Sequence, residues 1–106
     1  MLAGVNGRSA QARRYRDLID GLTEELGGGL TESERLLVRN AATLQLHAEE
    51  LTAAMVRGEP VDPEVLSRAT NGATRALTAL RRQKAARKPA RSALADILAA
   101  RKGQAA

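Results

Sequence analysis

Apolar residues recur at alternating steps of four and three in two stretches of the chain. Leu37, Ala41, Leu44, Ala48, Leu51 and Met55 mark the first, and Leu66, Ala69, Ala73, Ala76 and Leu80 the second. That spacing is a heptad seam, which sets one stripe of a helix against a partner helix. The short link Gly58-Glu59-Pro60-Val61-Asp62 separates the two stretches, so the region from Thr31 to Lys88 reads as two long arms folded back on each other. The second seam uses smaller side chains, which favours close approach of the two backbones. In the first arm Leu36, Val38, Leu46 and Val56 lie off the seam, and this predicts a second buried face turned toward a neighbouring subunit.

The ends of the arms carry their own signals. Thr31 and Glu34 have the spacing of a capping box, and Gly58 suits the left-handed position that closes a helix. Asp62 is a natural N-cap with Pro63 at the first helical position. Pro89 is expected to end the second arm. Within that arm Thr70, Asn71, Gly72 and Thr74 are poor helix formers, which points to a close helix approach or a kink. The seam itself is expected to stop at Leu80, where charge takes over.

Outside the hairpin, residues Met1 to Arg8 are expected to be disordered or loosely attached. A first helix then runs from a Ser9 cap to Leu26, with Tyr15, Leu18, Ile19, Leu22 and Leu26 on one face. Gly27-Gly28-Gly29 reads as a hinge, since it matches neither phosphate-binding glycine motif. After Pro89 a short amphipathic helix from Ser92 to Arg101 presents Leu94, Ile97 and Leu98 as a tethered docking peptide. The predicted fold is all-α: a long antiparallel helical hairpin with an additional N-terminal helix and a short C-terminal amphipathic helix. Three segments follow: 1–29, basic helix and hinge; 30–88, hairpin and oligomerisation; 89–106, partner-docking tail.

Composition narrows what such a fold can do. Among 106 residues there is one Tyr, no Phe, no Trp and no Cys. A seam built mainly of Ala and Leu is thin, so self-association is expected. Disulfides and thiolate metal sites are excluded. The single histidine, His47, sits among Leu44, Leu46 and Leu51 and reads as a packed or interfacial residue. Without a convergent nucleophile, base and pocket, no enzyme and no cofactor are expected. The chain shows neither a long apolar run nor a secretory signal, so a cytoplasmic protein with no membrane partner is expected.

Charge is divided unevenly. Up to Glu64 there are 7 Lys/Arg against 11 Asp/Glu, and from Val65 onward 10 against 1. A basic segment of that density points to a polyanionic partner. Candidate contacts are Arg8, Arg13, Arg14 and Arg16 near the start, and Arg81, Arg82, Lys84, Arg87, Lys88 and Arg91 after the hairpin. No aromatic residue is interleaved for stacking on single strands, and no helix-turn-helix spacing appears, so the contact expected is with duplex phosphates.

The segment Gly7-Arg8-Ser9 through Arg13-Arg14-Tyr15-Arg16-Asp17-Leu18-Ile19, followed by Leu37-Val38-Arg39-Asn40-Ala41-Ala42-Thr43-Leu44, resembles small helical proteins of prophage and gene transfer agent packaging regions. The layout as a whole is similar to the small subunit of terminases. The resemblance implies a homo-oligomeric ring, double-stranded DNA held by the basic segments, and a C-terminal peptide engaging the large ATPase/nuclease subunit. Oligomerisation is then expected through Leu37, Ala41, Leu44, Leu51, Met55, Leu66, Ala73 and Leu80. One departure matters: Met1 to Leu26 is too short for the compact DNA-binding domain of most small terminases, which favours contact without sequence preference. A helical adaptor whose basic tail binds an acidic protein is the alternative.

Overall fold

Among the described residues the chain forms three helices: α1 (Leu2–Glu25), α2 (Glu32–Val56) and α3 (Pro63–Ala105). The computed structural model describes the backbone over residues 2–105 and the side chains over residues 9–87 and 94–101. The order of packing follows from the seams. One side of α2 meets α3, where Ala48, Ala69 and Ala73 are buried with Leu44 and Leu51 against them. Another side of α2 meets α1, and here Leu26, Val38, Ala41 and Leu80 form a second cluster with Ile19, Leu22, Leu30 and Leu37.

The second apolar face of α2 is therefore covered by α1 of the same chain. Of the four residues on it, Val38 is buried and Leu46 half-buried, while Leu36 and Val56 remain exposed. Of the residues assigned above to oligomerisation, Ala41, Ala73 and Leu80 are buried within one chain, and Leu37, Leu44, Leu51 and Leu66 are half-buried. Met55 alone among them is exposed.

Local signals set the boundaries of α2. The Thr31 hydroxyl accepts from the Glu34 N–H at 3.2 Å and Glu34 Oε1 accepts from the Thr31 N–H at 2.9 Å. At the far end Gly58 has φ +84° and donates to the Met55 carbonyl, while Glu59 donates to Ala54. That is a Schellman closure, with glycine at the left-handed position. Asp62 Oδ1 then accepts from the Glu64 N–H, and Pro63 opens α3.

The glycine triplet is a turn with the same logic. Gly27 donates to Glu24 and Gly28 to Thr23, and all three glycines have positive φ. A side chain is disfavoured at such angles, which accounts for glycine there by conformation alone.

Two ends differ from the sequence expectation. α1 begins at Leu2 and not at a Ser9 cap. The glycines and asparagine of the first turns lower helix propensity by up to about 1 kcal/mol each, which a helix propagating from the residues after Ser9 can absorb. α3 continues through Pro89, so the stretch Ser92 to Arg101 is helical as the last turns of α3. Proline removes one backbone donor from the ladder, and the flanking alanines are the strongest helix formers.

Gly72 is not enforced by packing. A Cβ there would meet only Leu44 Cδ2, at 3.9 Å. Gly72→Ala is expected to stabilise the protein by about 0.5–1 kcal/mol, read as a higher urea midpoint.

The molecule is a rod. Its radius of gyration is 19.4 Å and its extents are 68 × 32 × 20 Å, whereas a compact domain of this length has a radius of about 13 Å. The cause is unequal helix length: α3 is roughly 64 Å long and α2 roughly 37 Å at ~1.5 Å per residue. Arg87 lies opposite Glu34 in the first turn of α2, so the part of α3 beyond it projects past the body.

Candidate nucleic-acid interface

The basic residues singled out from the sequence differ in how far they are already engaged within the chain. Arg14 is engaged: its Nε and Nη2 donate to Glu49 at 3.0 and 2.8 Å, joining α1 to α2. This pair, with the Gln45 amide also donating to Glu49, holds that carboxyl below its ordinary value, chiefly through the Arg14 hydrogen bond. Both side chains are substantially exposed, so the pair contributes no more than about 1 kcal/mol.

Arg87 is engaged more deeply. Its Nη2 donates to the Gly28 carbonyl at 2.7 Å, and its Nη1 lies 3.4 Å from Glu34 Oε2 as an ion pair without hydrogen-bond geometry. The same Glu34 oxygen accepts from the Gln83 amide at 3.1 Å. Glu34 is only 3% exposed. One carboxylate thus caps α2, receives α3 and faces the cation that holds the glycine turn.

Those contacts give Glu34 a lowered pKa, first through the Thr31 backbone donor, then through Gln83, and in smaller part through Arg87, with burial opposing. The unfolded carboxyl therefore takes up its proton first as pH falls. Its contribution to stability is complete above the ordinary glutamate value of 4.5 and is lost as pH drops through the folded-state value. Urea midpoints are expected to fall below that pH, and Glu34→Gln is expected to flatten this acid limb.

Arg81, Arg82 and Lys84 are exposed and form no ion pair among the described residues. Arg81 and Lys84 rim a groove floored by Leu22, Leu26, Leu77 and Leu80, with Glu25 as the acidic neighbour on α1. They stand where α3 leaves the body. Lys88 and Arg91 follow in sequence, but they and Arg8 lie outside the residues whose side chains are described.

Arg13 and Arg16 are exposed but lie elsewhere. Their helix meets α2 at Glu49 through Arg14, whereas Arg87 meets it at Glu34, roughly 22 Å away along α2 at ~1.5 Å per residue. The two predicted basic segments are not brought together within one chain. His47 is exposed, and among the described residues no metal-holding cluster of His, Asp and Glu forms. Among the described residues no helix is long and apolar enough to cross a membrane.

Beyond the basic stretch every described residue is exposed, including Leu94, Ile97 and Leu98 at 57, 53 and 49%. These three residues of the expected docking peptide share one side of the projecting helix by their spacing. No protein-family model, curated protein or solved structure matches the chain.

Proposed function

We propose that this chain is a DNA-packaging adaptor of the small-terminase type, binding duplex DNA through phosphates without strong sequence preference. The observation that supports it most is the exposed trio Arg81, Arg82 and Lys84, free of ion pairs among the described residues, at the root of a projecting helix. Cations in that position displace condensed counterions from the duplex, which gives affinity but no base readout. DNA held there lies beside the apolar stripe Leu94, Ile97 and Leu98, the surface for recruiting a large ATPase/nuclease subunit.

Self-association belongs to the same proposal. Among the described residues, only Leu26, Val38 and Leu80 of the buried hydrophobic side chains are larger than alanine. A core that thin favours a homo-oligomer, and the exposed Leu36, Met55, Val56 and Val65 supply apolar contact for one.

The competing reading is an adaptor whose basic helix binds an acidic protein, and the exposed apolar stripe on that helix favours it. Fluorescence anisotropy of a labelled random-sequence duplex separates the two. Binding at 50 mM salt that weakens steeply by 200 mM is expected. A flat baseline at the lower salt removes the DNA reading and leaves the protein adaptor.

A further inference from the structure

The heptad seam of α3 does not stop at Leu80. Leu66, Ala73, Leu80, Arg87, Leu94 and Arg101 each follow the one before by seven residues, with Ala69, Ala76, Gln83, Ala90 and Ile97 interleaved at the same repeat. From Leu66 to Arg87 this seam is occupied. Ala69, Ala73 and Leu80 pack on α2, and the polar positions Gln83 and Arg87 meet Glu34. From Leu94 to Arg101 the same seam has left α2 behind and is exposed.

The occupied half shows what the seam accepts. It takes an antiparallel helix that sets leucines, a valine and alanines (Leu37, Val38, Ala41, Leu44, Ala48 and Leu51) against its apolar positions and a carboxylate against its arginine. We infer that the free half, Leu94, Ile97, Leu98 and Arg101, docks an acidic amphipathic helix of a partner protein, with a carboxylate placed against Arg101 as Glu34 is placed against Arg87. This rests on the DNA-packaging adaptor reading above and specifies the chemistry of the protein partner recruited beside the DNA.

Three observations support that occupant. The free surface continues an interface the molecule already uses, so its geometry is set by α2 packing upstream. A heptad seam asks for a helix rather than an extended peptide, because its knobs need the holes of a facing helix. Charge disfavours the mirror arrangement of two such tails: from Arg81 onward the chain carries eight Lys/Arg and one acidic residue, Asp96, so two copies repel along this segment.

Two synthetic helical peptides test it on the full-length chain. Both carry leucines at heptad spacing; one has glutamates and the other lysines at the flanking positions. The acidic peptide is expected to bind at least tenfold tighter than the basic one. Leu94→Ala with Leu98→Ala is expected to cost it at least tenfold, and Arg101→Glu to remove its preference over the basic peptide. Helix content by circular dichroism reports whether each variant folds, and these side chains are exposed in the single chain.

Equal binding of the two peptides, or acidic-peptide binding untouched by the leucine variants, overturns the inference. So does light scattering in which the intact chain self-associates and the leucine variants do not, since the occupant is then a second copy. DNA affinity separates this inference from the function it rests on: the alanine pair leaves the charge unchanged and is expected to hold DNA binding within twofold.

Discussion

Leu80→Ala is expected to lower the unfolding free energy by about 2–5 kcal/mol, measured by urea denaturation. Leu80 is 5% exposed and belongs to the cluster that joins α1, α2 and α3 through Leu26, Val38 and Ala41. In a core built chiefly of alanine few neighbours can move in to fill the space, so the cavity term is large. Total stability for a chain of this length is of the order of 5–15 kcal/mol, which makes this one side chain a sizeable share of it. A loss below 1 kcal/mol would mean that the three-helix core is not what holds the body together.

Replacing Arg81, Arg82 and Lys84 together by alanine is expected to weaken duplex DNA binding by about two orders of magnitude at ~0.1 M salt. The dependence of log affinity on log salt is expected to become shallower by about 2.7, at ~0.9 for each phosphate no longer neutralised. Alanine is a strong helix former and these side chains are exposed, so folding is expected to survive. Arg13→Ala with Arg16→Ala is the matched control: those residues lie at the other end of α2, and their loss is expected to change affinity by less than threefold. The reverse order of effects would move the interface to α1.

Where the sequence spoke clearly, the determinants were close together. Thr31 with Glu34, Gly58 with Met55, and Asp62 with Pro63 each settle a helix end within five residues, and all are found in place. The all-helical class rested on periodicity over many residues, which averages out local exceptions. The apolar pattern failed at Leu80 because the seam turns polar there: Gln83 and Arg87 keep the heptad while breaking the run of apolar residues. A scan for spacing alone, indifferent to residue type, would have carried the seam on to Arg101.

The interface was legible as a concentration of charge but not as a set of usable cations. Arg14 and Arg87 look like their neighbours in sequence, yet Glu49 and Glu34 occupy them from 35 and 53 residues away, respectively. Only the folded chain shows which arginines are already held. The same long-range contact explains why Glu34, read as half of a capping box, also anchors α3.

Amide chemical shifts recorded while random-sequence duplex DNA is titrated into the full chain test the central claim most directly. The largest changes are expected around Arg81, Arg82 and Lys84, with the amides around Arg13 and Arg16 nearly still. Shifts centred on the start of α1, or a spectrum that does not move at 50 mM salt, would contradict a DNA-gripping role for the projecting helix.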